Sequence, residues 1–198
     1  MKKIVIIIAG IFVLGLVANE AAKSFDYIGS HKCKTCHKSE KKGAQYKKWE
    51  AGPHASAFET LKSEKSAKIA TDKGLKVPAY EAPECLVCHV TGYGNGGYET
   101  QTADFWAEVT DKGKPTKDVK RMTALQSVGC EACHGAASGY KKSHKKDKAL
   151  ALTQGLIEPT EAVCVTCHNE KSPTYDKEKG FNFEERWKAI DHSTPKAE

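Results

Sequence analysis

Cys33-Lys34-Thr35-Cys36-His37 opens a pattern that recurs as Cys85-Leu86-Val87-Cys88-His89, Cys130-Glu131-Ala132-Cys133-His134 and Cys164-Val165-Thr166-Cys167-His168. The chain has 8 cysteines, and these motifs use all of them. Paired cysteines in an exported protein usually read as disulfides, and in a cytosolic one as a zinc site. Neither chemistry requires a histidine directly after the second cysteine of every pair. Covalent haem attachment does, because C-x-x-C-H is the signature of haem c. Two cysteines three residues apart on a helical turn reach the two vinyl groups of one porphyrin and form thioethers. The following imidazole then lies beneath the iron as proximal ligand. The pattern therefore predicts four haem c groups. Their thioether ligands would be Cys33, Cys36, Cys85, Cys88, Cys130, Cys133, Cys164 and Cys167, and their proximal ligands His37, His89, His134 and His168.

Each iron can take a second axial ligand. The only methionines are Met1 and Met122, so at most one mature haem can be methionine-ligated. Of the 8 histidines, His31, His54, His144 and His192 remain after the proximal ones. The inventory predicts mostly bis-histidine, low-potential haems, with three of these four spare histidines as ligands.

The 198-residue length fits one domain. Lys2 and Lys3 precede an unbroken apolar run from Ile4 to Ala18. That run is short of the roughly 20 residues a spanning helix needs. It reads as a Sec signal peptide over residues 1–22, cleaved between Ala18 and Ala22, with the haem domain over 23–198. Localisation is then periplasmic or extracellular, with membrane contact only if the N-terminal segment stays uncleaved. The rest of the chain is poor in apolar residues, so the porphyrins must supply the core. The expected class is mainly α: a small multihaem cytochrome c, its short helices and loops wrapped around four covalently attached haems. Helix is predicted for Gln45 to Trp49, Ser56 to Ala70 and Phe181 to Ile190, with few strands. Thr91 to Gly97 reads as a turn-rich loop, and Asp111 to Lys120 as a charged loop containing Pro115.

The formal charge is +6 and the sequence pI about 8.8. Haem propionates offset such a charge, so nucleic acid is not an expected partner. Lys41, Lys42, Lys47 and Lys48 follow the first motif, and Lys141, Lys142, Lys145 and Lys146 flank His144. If both groups border the first haem, they would steer an acidic redox partner. The alternative is that they are solvated lysines balancing propionates.

The motifs and their surroundings resemble the tetrahaem cytochrome c-554 family of ammonia-oxidising bacteria. The likeness spans nearly the whole chain after the apolar run. It includes Trp49 and His54 after the first motif, and Val90, Gly92-Tyr93-Gly94 and Gly96-Gly97-Tyr98 after the second. It also includes Val128-Gly129-Cys130-Glu131 with Cys133-His134-Gly135 at the third motif, then His144, and Phe183-Glu184-Glu185 leading to His192. The resemblance implies His144 as distal ligand of the haem on His37, His54 on the His168 haem, and His192 on the His134 haem. It leaves the haem on His89 without a sixth protein ligand. It implies electron transfer between redox proteins, with hydroxylamine oxidoreductase as the family's donor, and more a carrier than an enzyme. An alternative is reduction of nitric oxide, or a related small nitrogen species, at the open haem.

Two features depart from the family pattern: a longer segment from Tyr98 to Ser127, and His31. In haem number and size the chain also resembles polymeric tetrahaem cytochromes, which use inter-subunit histidines. That resemblance makes His31 a candidate inter-subunit ligand in a homo-oligomer or extracellular filament. The competing reading of His31 is an ordinary solvent-facing histidine.

Overall fold

The computed structural model describes residues 24–194. The apolar run read as a signal peptide lies outside the described residues. Within them the chain is helical, and no strand forms; the sole ladder-type pairing is an isolated antiparallel bridge between Val109 and Pro115. The helices are α1 (Lys34–His37), α2 (Gln45–Glu50), α3 (Ala57–Thr60), α4 (Glu64–Asp72), α5 (Pro83–His89), α6 (Ala103–Ala107), α7 (Lys117–Leu125), α8 (Cys130–His134), α9 (Lys148–Thr153), α10 (Glu161–Cys164) and α11 (Phe183–Ile190). No helix of the described residues is long and apolar enough to cross a membrane.

The single helix expected from Ser56 to Ala70 is broken. Thr60 Oγ1 donates to the Ala57 carbonyl and ends α3. Ser63 then accepts from the Ser66 amide as the N-cap of α4. Hydroxyl side chains compete for backbone groups in this way and favour caps over helix interiors. The charged loop expected from Asp111 to Lys120 also ends early. Thr116 accepts from the Val119 amide and caps α7, with Asp118 in the first turn against the helix dipole. Val119, Met122 and Leu125 then lie buried on one face of α7.

Met122 and Leu125 of that face complete the larger core with Phe58, Leu61, Leu86, Val90 and Tyr98, flanked by Phe105 and Trp106. The long Tyr98–Ser127 segment is thus structural, packed against α5 and its haem motif. Thr91, after α5, ties the region together. Its hydroxyl donates to the Ser127 carbonyl (2.6 Å) and accepts from the Gly129 amide (2.9 Å), while its amide donates to the Leu125 carbonyl (3.0 Å). Gly97 closes the turn over Thr91; a Cβ there would strike the Thr91 carbonyl oxygen. A smaller cluster of Ala137, Tyr140 and Ala151 supports the third motif.

Candidate functional site

Each motif is built on one helical turn. The His37 amide donates to the Cys33 carbonyl (3.1 Å) and the His168 amide to the Cys164 carbonyl (3.0 Å). The second and third motifs lie within α5 and α8. The turn brings both sulfurs of a motif to one side and carries the imidazole beyond them. All eight cysteines are unbridged, and all but the exposed Cys36 are half-buried. Among the described residues no three histidine, cysteine or acidic side chains converge as a metal-ion cage.

The histidines face one another in three pairs. The rings of His37 and His144 stack with centroids 5.8 Å apart at an interplanar angle of 18°. His54 and His168 stand 6.0 Å apart at 61°, and His134 and His192 6.0 Å apart at 78°. A metal–imidazole bond of about 2 Å puts each ring centre roughly 3 Å from the metal, so two axial imidazoles stand about 6 Å apart. The three gaps therefore fit one haem iron each.

Backbone carbonyls orient the rings. Nδ1 of His144 points at the Tyr140 carbonyl (3.1 Å), His134 at Ile157 (3.3 Å), His192 at Ile190 (2.8 Å) and His89 at Ala57 (2.6 Å). His37 meets Gln45 Oε1 instead, at 3.4 Å. With Nδ1 committed as donor, Nε2 is left as a lone-pair ligand. Burial also pushes the His37, His54, His134 and His168 imidazoles below their ordinary pKa, favouring the neutral form that binds a metal.

His89 has no such partner: among the described residues no histidine ring faces it. Met122 is not available, being buried with its sulfur turned to the Glu99 amide (3.3 Å). His31 lies elsewhere, its Nδ1 buried and without a hydrogen-bond partner, packed close to Gly29. Burial and the charges of Lys32 and Lys141 hold its pKa down.

The motifs also meet one another. Cys33 and Cys130 lie beside each other, as do Cys88 and Cys167. Cys133 is pushed up to about 11, mainly by burial and further by Cys164 and Cys167 nearby. The first motif thus abuts the third, the third neighbours the fourth, and the fourth abuts the second.

Comparison with known proteins shows the family and the fold. A family profile described as cytochrome c554 and c-prime matches residues 32–135, more than half of the chain. The chain belongs to the cytochrome c554 family. It is similar to cytochrome c-554 of Nitrosomonas europaea, 31% identical over 168 residues that cover 81% of this chain. It spans 55% of that relative's length. It is also similar to the solved structure of reduced cytochrome c554 from Nitrosomonas europaea, with a TM-score of 0.57 and 25% identity, covering 87% of this chain and 86% of that one. As in the cytochrome c554 family, the cofactors are four haem c groups, which complete the mainly α fold.

Sequence reasoning missed one residue of the site. Glu131, between the cysteines of the third motif, is 1% exposed and accepts from three backbone amides, those of Ile28, Gly29 and Ala137. Nothing in motif spacing marks it, since the inner positions of C-x-x-C-H accept any residue type.

Proposed function

We propose that this cytochrome c554 family member is an electron-transfer protein of the periplasm or cell exterior, exported by a signal peptide over residues 1–22. The observation that carries the reading is the set of three facing histidine pairs beside a lone fourth proximal histidine. His37 with His144, His134 with His192 and His168 with His54 would hold three low-potential irons, while His89 alone would hold the fourth. Haem iron cycling between the ferric and ferrous states supplies one-electron storage. The chain's part is to anchor four such centres in contact, through Cys33 beside Cys130, Cys133 beside Cys164, and Cys167 beside Cys88. Nothing in this arrangement requires a substrate, which favours a carrier over an enzyme.

The His37–His144 stack brings the two lysine groups to one haem. Lys41, Lys42, Lys141, Lys142, Lys145 and Lys146 are exposed there. Lys47 is paired to Glu40 at 2.6 Å, and Lys48 reaches the Asp191 carbonyl. The exposed lysines favour this edge as the docking port for an acidic redox protein. Reduction of the ferric protein by an acidic flavoprotein is expected to slow by about tenfold or more as salt is raised from low to physiological strength. Replacing Lys141, Lys142, Lys145 and Lys146 by Glu is expected to slow it similarly at low salt. Stopped-flow absorbance at the haem bands reads both; rates indifferent to salt and to the substitutions would rule the port out.

The lone His89 supports a second reading, reduction of nitric oxide or a related small nitrogen species at that iron. His31 favours a place within its own chain over a filament contact, since its Nδ1 is already tucked near Gly29 and α7.

A further inference from the structure

We propose that Glu131 is a fixed buried anion that holds down the reduction potentials of the haems on His37 and His134. The inference rests on the ligation reading above. Glu131 is the one charged side chain among the buried residues described. It takes part in none of the ion pairs of the described residues. Its carboxylate is held by backbone amides alone. The Ile28 amide donates to both oxygens (2.9 and 3.1 Å), Ala137 to Oε1 (2.8 Å) and Gly29 to Oε2 (2.6 Å). Every oxygen faces a donor, so a proton on either would meet an N–H rather than an acceptor. The cage is built for the ionised form. Burial works the other way and leaves the carboxyl above its ordinary range, with the amides and Arg121 drawing it only part of the way back.

Its position gives the charge its target. Glu131 follows Cys130 of the third motif, and the Gly29 amide that it binds directly precedes the Ser30–Lys32 turn, whose Ser30 carbonyl accepts from the Cys33 amide of the first motif. The charge is felt at Cys33, Cys130 and Tyr140, all of whose ionisations it opposes. It therefore sits where the anchors of two haems meet. No other motif carries an acid at its inner positions, which are Lys34-Thr35, Leu86-Val87 and Val165-Thr166. Reduction of a ferric haem by one electron lowers its charge by one, with no proton required. A nearby anion in a low-dielectric site favours the ferric side of that equilibrium.

The test is Glu131→Gln, which keeps the shape and removes the charge. Spectroelectrochemical titration of the holoprotein is expected to show two of the four midpoints rising, each by at least a tenfold change in the reduction equilibrium, about 59 mV for one electron. The other two are expected to stay in place. Midpoints all unchanged, or all shifted alike, with the low-spin spectrum intact would overturn the proposal. Absence of bis-histidine signals in the unsubstituted protein would instead sink the ligation reading, so the two failures are distinguishable. If E131Q does not mature, the unsubstituted protein still decides. With glutamate labelled with 13C at the carboxyl, the reduced-minus-oxidised infrared spectrum is expected to show a shifted ionised carboxylate. A carboxylic-acid carbonyl band at the labelled position would overturn the proposal.

Discussion

Chain produced without haem attachment is expected to be unfolded. The helices span three turns at most, and isolated helices below about 12–15 residues are marginal in water. No sheet compensates within the described residues. The buried apolar side chains are few, and Ala44, Ala70, Ala79, Ala82, Ala137 and Ala151 are among them. Alanine contributes little burial energy next to a Leu or Phe at about 1.5–3 kcal/mol. The conformational entropy of ordering the chain, about 1–2 kcal/mol per residue, is then unmatched until porphyrins fill the interior. Far-ultraviolet circular dichroism of apoprotein with all eight cysteines changed to Ser is expected to show mostly coil and no cooperative melt. The local version is Cys130→Ser with Cys133→Ser, which removes the anchor of the haem beside the Ala137–Tyr140–Ala151 cluster. A cooperative thermal transition in the haem-free chain would show that the polypeptide carries its own core.

The second large effect is expected at the distal histidines. His54→Ala removes the ring that stands 6.0 Å from His168 and leaves the backbone carbonyl of residue 54 to accept from Val128 (3.1 Å) as before. One low-spin haem signal is expected to become high-spin. Its potential is expected to rise by on the order of 0.1 V, within the ~0.8 V range that axial ligands command. Added imidazole is expected to restore the low-spin signal by occupying the vacated position. His144→Ala should behave alike at the haem on His37, whereas His31→Ala should leave all four haem spectra unchanged. A low-spin spectrum that survives His54→Ala would remove His54 from the ligand set.

The attachment residues and the helical class were open to sequence reading because C-x-x-C-H is a local device. One helical turn suffices to place two sulfurs and a ring. The distal histidines were not open in the same way. His144 meets His37, and His192 meets His134, only after the intervening chain has folded, and no spacing encodes such meetings. The pairing came from family resemblance, and in the structure the ring centroids of those pairs stand 5.8 and 6.0 Å apart. Helix boundaries failed where hydroxyls intervened, at Thr60 and Ser63, and where Thr116 capped α7 inside a stretch read as loop. The buried role of Glu131 was hidden for a different reason. A charged residue beside Cys130 reads as solvent-facing until the Ile28–Gly29 backbone closes over it.

Electron paramagnetic resonance of the purified ferric holoprotein, with and without nitric oxide, tests the ligand arrangement most directly. Three facing histidine pairs and a lone His89 predict low-spin signals from three haems and a high-spin signal from the fourth, which nitric oxide abolishes. Four low-spin haems, or more than one high-spin haem, would contradict it.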